Sequence, residues 1–155
     1  MKPIEGYNKL RGGYYTPKKI AEFIATWAIR TKNDEILEPS CGDGSFISTI
    51  ADRLHEMGAS DQSIKHNVTG VELDKVEASK ASQYGPNVVQ SDFFTYYQKC
   101  IDGEKEFDVI VGNPPFIRYQ NFEEEYRKVA FELMTKHGFQ PNRLMNIWLP
   151  FLVLA

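Results

Sequence analysis

The residues best suited to chemistry form a short run, Asn113-Pro114-Pro115-Phe116, directly after an apolar segment. The two prolines fix the backbone and lack N–H groups, which leaves the Pro114 carbonyl free to accept a hydrogen bond. The Asn113 side chain can accept another, so the pair can bind both hydrogens of an exocyclic amino group. The Phe116 ring can stack on the heterocycle that carries the amine. Because the bound hydrogens leave the ring plane, the run predicts a site that makes a planar amine nucleophilic toward a sulfonium methyl group.

A loop of small and acidic residues forms the second candidate site: Glu38-Pro39-Ser40-Cys41-Gly42-Asp43-Gly44-Ser45-Phe46. Gly42 and Gly44 allow the backbone to pass close to a ligand. A dinucleotide site would need a third glycine near position 47, where Ile47 stands. Glu38 and Asp43 would also repel a diphosphate, so a cationic or zwitterionic ligand suits the loop better. An ordinary strand-to-helix turn remains the alternative.

Two more acidic residues follow predicted strands. Glu72 can accept hydrogen bonds from the two vicinal hydroxyls of a ribose. Asp92 can accept one from an adenine amino group while Phe93 packs on the ring face. Solvated strand-end carboxylates are the alternative, and Asp74 is equally suited to cap a helix. Together with the loop, these residues suit an amino-acid end, a ribose and an adenine, which are the three parts of S-adenosylmethionine.

Alternating strands and helices would bring these residues together. We expect strands over residues 35–38, 67–73, 87–90 and 107–111, the last of them buried on both faces. The intervening helices imply β-α-β units and a parallel sheet. Each candidate motif directly follows a strand, and open α/β sheets bind ligands beyond the carboxyl ends of their strands. The sequence therefore predicts an α/β fold with one site at that edge.

Two helices flank the candidate sites. Thr16 is the expected N-cap of the first, with Pro17 at its first position. Its expected buried face consists of Ile20, Phe23, Ile24, Trp27 and Ala28. Asn121 and Glu124 form a capping-box pattern for a later helix that Gly138 ends. Its expected apolar face consists of Phe122, Tyr126, Val129, Ala130, Leu133 and Met134.

Composition limits the class of protein. The chain has 155 residues and a net charge of −3, which fits one globular domain and does not by itself indicate binding to a polyanion. Its two cysteines favour a reducing compartment, so we expect a cytoplasmic protein. No apolar run is long enough to cross a membrane, so no membrane partner is expected. The three histidines lack ligand spacing, so no metal site is expected.

These motifs together resemble the N6-adenine DNA methyltransferases of bacterial restriction–modification systems. The segment Gly12-Gly13-Tyr14-Tyr15-Thr16-Pro17 stands before the glycine loop and the Asn-Pro-Pro-Phe run comes later, an order that resembles the gamma group. The resemblance implies a Rossmann-like, S-adenosylmethionine-dependent methyltransferase fold whose strand order begins 3-2-1-4. It also implies methyl transfer to the N6 amino group of adenine in DNA.

The resemblance assigns roles residue by residue. It implies that Tyr15, Thr16 and the loop from Glu38 to Gly44, with Phe46, hold the methionine end of the cofactor. It implies that Glu72 binds the ribose, that Leu73 and Phe93 flank the adenine, and that Asp92 accepts from the adenine amino group. The target-base site would consist of Asn113, Pro114, Pro115 and Phe116.

The same resemblance bears on domain organisation. Residues 1–15 are expected to form an N-terminal arm and residues 16–155 a partial α/β catalytic core. The family's remaining strands and target-recognition domain, which would bind double-stranded DNA, are expected to lie outside this sequence. Residues 146–155 end the chain in an apolar segment, which predicts self-association of the isolated chain and almost no catalysis by it. The alternative is a final helix that docks on the sheet.

Other functions remain open at this point. A methyltransferase could act on another planar amine, such as a protein glutamine amide or a guanine in ribosomal RNA. Those families usually carry Tyr in place of Phe116 and lack the Tyr-Thr-Pro segment before the glycine loop. A cofactor-binding module without catalysis is a further alternative from a different class.

Overall fold

The computed structural model describes residues 16–102, 106–142 and 144–155. The expected arm over residues 1–15, which includes Tyr15, lies outside the described residues. The helices and strands follow in this order: α1 Lys18–Ala28, β1 Ile36–Glu38, α2 Ser45–Glu56, α3 Asp61–Asn67, β2 Val68–Glu72, α4 Lys75–Ala81, β3 Asn87–Gln90, α5 Phe93–Tyr96, β4 Val109–Ile110, α6 Glu124–Lys136 and α7 Trp148–Leu154. A π-helix, Tyr97–Ile101, continues α5, and a 3-10 turn, Tyr119–Asn121, stands before α6.

The strands form one parallel sheet in the order β3-β2-β1-β4. This confirms the predicted α/β fold and strand order. Leu37 of β1 lies opposite Thr69 of β2 on one side and Ile110 of β4 on the other. The β1 strand is buried along its whole length, because helices cover both faces of the sheet.

The expectation about β4 is met in part. Val109 packs against one apolar layer and Ile110 against the other, but both side chains are only half-buried. In the described part of the chain, β4 is an edge strand that pairs only with β1. A strand at a sheet edge loses the lateral cover that a central strand receives, which accounts for its exposure.

Two apolar layers enclose the sheet. Ile36 and Val68 point to the layer formed by α1, α2, α3 and α4. Leu37 and Val71 point to the layer formed by α5, α6 and α7. The alternation follows from the two-residue period of a strand, and it leaves the carboxyl ends of the strands open between the layers.

The first helix buries a face that overlaps the predicted one only in part, because Ile24 packs against the core as expected. Ala21 and Ala25 are buried, whereas Ile20, Phe23 and Trp27 are 51%, 71% and 66% exposed. Both sets recur at helical spacing, so periodicity does not choose between them. The small alanines allow α1 to approach α2 closely, which the bulky side chains would prevent.

The caps predicted for α1 and α6 are both wrong. Pro17 is the N-cap residue of α1, so Thr16 lies one residue before it. Glu123 is the N-cap residue of α6 and makes no side-chain capping bond, while Asn121 belongs to the preceding 3-10 turn. The expected apolar face of α6 is confirmed, because its members are buried or pack against the core: Phe122, Tyr126, Val129, Ala130, Leu133 and Met134.

The C-terminal segment folds onto the sheet as α7. Ile147 is fully buried and Phe151 is 5% exposed, while Leu152 remains 63% exposed. Of the two interpretations of this segment, the docked helix is therefore the correct one. The Phe151 ring packs against Phe93 and Phe94 of α5, and this contact removes its apolar surface from water.

No helix among the described residues is long and apolar enough to cross a membrane. Within the same residues, no group of three or more His, Cys, Asp or Glu side chains is placed to hold a metal ion.

Candidate active site

A cleft of about 580 Å³ opens at the carboxyl ends of the strands. It brings together thirteen of the residues that the sequence singled out: Thr16, Glu38, Pro39, Ser40, Cys41, Gly42, Phe46, Glu72, Leu73, Asp92, Phe93, Asn113 and Pro115. All four motifs therefore contribute to one cavity, as expected from their positions after parallel strands.

Three other predicted site residues lie outside the cleft wall. Gly44 faces α4, because a Cβ there would come within 2.7 Å of the Ala81 Cα atom, and its φ of +88° also favours glycine. Phe116 is 55% exposed, with its ring centroid 6.5 Å from that of Trp148. Pro114 is half-buried beside it. Gly44 thus serves helix packing in this structure, while Phe116 presents its ring to solvent.

Backbone hydrogen bonds attach the glycine loop to the second strand. The Cys41 N–H donates to the Val71 carbonyl at 2.9 Å. The Gly42 N–H donates to Glu72 Oε2 at 2.8 Å. The Asp43 carboxylate accepts from both the backbone N–H and the hydroxyl of Ser45 at the start of α2. The loop is therefore attached to β2 through both the strand backbone and the Glu72 side chain.

Glu72 is a partly buried carboxylate, and each of its oxygens accepts one backbone hydrogen bond. Oε1 accepts from the Asp74 N–H at 2.7 Å, and Oε2 accepts from Gly42. Burial raises the pKa of Glu72 above its ordinary value, although these two hydrogen bonds oppose the shift. Each carboxylate oxygen has two lone pairs, so Glu72 can still accept bonds from a ligand. Asp74 itself caps α4, which confirms that reading of it.

Glu38 is the most deeply buried acid of the cleft, at 2% exposure. The backbone N–H of Ile47 donates to its carboxyl group. Its Oε2 atom has no hydrogen-bond partner among the described residues, and neither has the Oγ atom of Ser40, which also lines the cleft. Burial, with the nearby charges of Glu72 and Asp43, raises the pKa of Glu38 well above its usual value. Two buried acceptors in a cleft without partners are suited to a ligand that donates hydrogen bonds.

Cys41 has a packing role. It is 4% exposed, and burial followed by the charges of Glu38 and Glu72 raises the pKa of its thiol. Gly70 of β2 makes room for it, because a Cβ on Gly70 would lie 2.9 Å from Ile47 Cδ1 and 3.0 Å from Cys41 Sγ. The close approach of α2 to the sheet thus depends on a glycine in the strand, whereas a dinucleotide fold places that glycine in the helix.

Asp92 and Phe93 have structural roles that the sequence pattern did not reveal. Asp92 is the N-cap residue of α5, and its Oδ1 accepts from the Thr95 N–H at 2.9 Å. The Phe93 ring is 2% exposed and stacks on Phe151, with centroids 5.0 Å apart and planes at 16°. Both residues still line the cleft, so a structural role and a ligand contact are compatible.

The far wall of the cleft comes from residues that the sequence analysis did not assign to a site: Ile117, Asn121, Phe122, Glu123 and Phe151. An antiparallel bridge between Arg118 and Asn146, and a 2.9 Å bond from the Ile147 N–H to the Ile117 carbonyl, hold this wall in place. The sequence pattern predicts a helix-capping role for Asn121 and assigns no role to Glu123. The available signal was the polarity of Asn121 and Glu123 a few residues after the Asn-Pro-Pro-Phe run, and helix capping also explains that polarity.

The fold is that of class I S-adenosylmethionine-dependent methyltransferases. A Listeria monocytogenes protein provisionally assigned to that class matches 92% of this chain and 42% of its own, with a TM-score of 0.63 and 18% identity. One chain of the DrdV–DNA complex matches 98% of this chain and 20% of its own, with a TM-score of 0.67 and 20% identity.

The sequence matches the model of the N-6 DNA methylase family over residues 4–153. The chain therefore belongs to that family, which confirms the resemblance drawn from its motifs. Type II methyltransferase M.HincII of Haemophilus influenzae is 33% identical over 117 residues, which are 76% of this chain and 19% of the relative. Modification methylase CviBIII of Paramecium bursaria Chlorella virus NC1A is 32% identical over 69% of this chain and 26% of the relative. The chain thus spans a minor part of the length of these relatives.

Proposed function

We propose that this chain is the cofactor- and base-binding part of a DNA methyltransferase that methylates the N6 amino group of adenine. One observation carries the proposal: Glu38, Glu72, Asp92 and Asn113 line a single cleft. A surface suited to a zwitterionic nucleoside therefore continues into a surface suited to a planar amine. Membership of the N-6 DNA methylase family supports the same activity.

The residues present fit S-adenosylmethionine. The buried Glu38 Oε2 and Ser40 Oγ atoms are unused acceptors, which suits the ammonium group of a methionine moiety. Glu72 has lone pairs left for the ribose hydroxyls, and Leu73, at 40% exposure, offers apolar surface to the adenine. When bound, the cofactor supplies an electrophilic methyl group on a sulfonium.

The chain's own contribution to the reaction lies after β4. Gly112 packs close to Glu38, since a Cβ on Gly112 would lie 3.3 Å from Glu38 Cγ, and this brings the two ends of the cleft together. Asn113 and the Pro114 carbonyl would accept both hydrogens of the target amine and orient its lone pair. The exposed ring of Phe116 would stack on the target base.

Double-stranded DNA is the proposed substrate, with the adenine flipped out of the helix. The chain has a net charge of −3, which is unfavourable for binding a polyanion on its own. We therefore assign most of the DNA contact to a target-recognition domain elsewhere in the protein. For the same reason we expect very little turnover by this chain alone.

A methylation assay on the complete gene product tests the proposal. The protein is incubated with methyl-labelled S-adenosylmethionine and with duplex DNA, ribosomal RNA or protein, and the labelled product is identified. N6-methyladenine in DNA is expected. Label in guanine of RNA or in a glutamine amide would instead support the alternative substrates, and cofactor binding without transfer would indicate a binding module.

Replacement of Glu72 should weaken cofactor binding. The substitution Glu72→Ala removes a charge-assisted acceptor worth about 1.5–3 kcal/mol, so S-adenosylmethionine should bind roughly tenfold to a hundredfold more weakly. Calorimetric titration measures the change, and Glu124→Ala on the exposed side of α6 is a matched control. Unchanged affinity in Glu72→Ala would exclude the ribose assignment.

Self-association of the isolated chain stays a prediction. Since α7 docks on the sheet, it now depends on β4, which has a strand neighbour on one side only among the described residues. Edge-to-edge pairing through β4 would cover that side and give a dimer or larger assembly. Light scattering at micromolar concentration measures the mass, and a stable monomer would show that the edge is protected.

A further inference from the structure

The strongest unexplained feature of the cleft is the carboxyl group of Glu38. It stands at the end of β1, is 2% exposed and lines the cleft. Ile47 donates one backbone N–H to it, but Oε2 has no hydrogen-bond partner in the described part of the chain. A carboxylate in that position would be a buried anion with one oxygen unsolvated, which is costly unless the group is protonated.

The charges around Glu38 oppose ionisation as well. Asp43 from the same loop and Glu72 from the end of β2 are the charged groups that act on it, and both are acidic. Glu72 is already stabilised by the N–H groups of Gly42 and Asp74, so the proton is better placed on Glu38. The adjacent Cys41 thiol stays neutral, because Glu38 and Glu72 disfavour its thiolate form.

We propose that Glu38 carries a proton in the ligand-free protein and releases it to solvent when the ammonium group of S-adenosylmethionine enters the cleft. The proposal rests on the proposed function for the identity of the ligand. The step balances: the Glu38 carboxyl O–H bond breaks, its proton goes to the buffer, and the carboxylate then accepts a hydrogen bond from the incoming ammonium. No redox partner is required.

The geometry supports an ammonium at this position. An ammonium group has donors and no acceptor, and Glu38 Oε2 and Ser40 Oγ are two buried acceptors that lack donors. The positive charge also compensates for the repulsion among Glu38, Asp43 and Glu72, which favours the ionised form of Glu38 in the complex.

The pH dependence follows from the direction of this change. The pKa of Glu38 is raised in the free protein and would fall in the complex, because the ligand's charge stabilises the carboxylate. Below the raised pKa, binding must expel a proton, so affinity should weaken as the pH falls, by up to about tenfold per pH unit. Above it, affinity should no longer depend on this group.

Calorimetry in two buffers of different ionisation enthalpy tests the proposal with the chain as it stands. S-adenosylhomocysteine is the probe, because it carries the same amino-acid end and does not react. In a pH series that begins at about pH 5, we expect net proton release of up to one proton per ligand bound, which disappears as the pH rises past the raised pKa of Glu38. Methylthioadenosine is the matched control, since it keeps the adenosine and lacks the ammonium. Proton release by Glu72 would appear with both ligands. Proton release by Glu38 would appear only with S-adenosylhomocysteine.

A variant separates Glu38 from its neighbours. In Glu38→Gln the binding heat of S-adenosylhomocysteine should become independent of the buffer, while the ligand still binds with lower affinity. Buffer-independent heat in the unaltered chain, or equal proton release with both ligands, would overturn the assignment to Glu38 and leave the proposed function standing. Failure of both ligands to bind would overturn the proposed function together with this inference.

Discussion

The substitution Asn113→Ala should lower methyl transfer by roughly 100-fold or more while leaving cofactor affinity nearly unchanged. Asn113 lines the cleft beyond β4, where the target amine is proposed to bind, and its role begins only when the base arrives. Loss of its side-chain oxygen removes one of the two acceptors that orient the nitrogen lone pair. The rate of N6-methyladenine formation by the complete gene product measures the first effect, and titration with S-adenosylhomocysteine measures the second.

Asn33→Ala offers a control for that experiment. Asn33 is an exposed residue in the turn after α1, away from the cleft wall, so its replacement should change neither quantity. Normal turnover in Asn113→Ala would place the target amine elsewhere. An equal loss of cofactor affinity would instead show that Asn113 maintains the shape of the cleft.

Replacement of Phe94 by alanine should cause the largest loss of stability. The Phe94 ring is fully buried and contacts the rings of Phe93, Phe122 and Phe151, with centroids 5.0–6.0 Å away. Its removal leaves a cavity where α5, α7 and the far wall of the cleft meet, which should lower the free energy of unfolding by roughly 3–5 kcal/mol. Chemical denaturation measures the change.

The same variant connects the core to the site. Phe122 and Phe151 line the cleft, so a collapse of their packing around position 94 should also weaken ligand binding. Phe139→Ala is the matched control, because Phe139 is 48% exposed beyond the end of α6 and should cost little. A loss of stability in Phe94→Ala as small as that of the control would mean that the three aromatic rings repack without it.

Much of the sheet could be predicted from the chain alone. The strands lie within two residues of their expected positions, and their order is the expected one. Short apolar segments, each followed by a polar or glycine-rich turn, are a local signal, and parallel pairing requires their carboxyl ends to share one edge. The meeting of Glu38, Glu72, Asp92 and Asn113 in one cleft follows from that topology.

Tertiary packing decided which face of α1 is buried. Helical spacing in the sequence is equally satisfied by Ala21 and Ala25 and by Ile20, Phe23 and Trp27. The distance to α2 selects the alanines, and that distance is a property of the folded packing. The same holds for Gly44, whose position is set by contact with Ala81 from a separate helix.

The far wall of the cleft also depends on long-range contacts. Phe151 and Ile117 reach the site only because α7 folds back and the Arg118–Asn146 bridge holds the intervening chain. Likewise, the backbone bond from Gly42 to Glu72 joins residues from two strands, which local sequence cannot specify. The sequence by itself therefore determined the α/β fold, the order of the strands and the edge of the sheet at which the candidate side chains lie. The tertiary structure decided which of them are buried, which hydrogen bonds they have already made and what closes the cleft, because those properties depend on contacts between segments far apart in the chain.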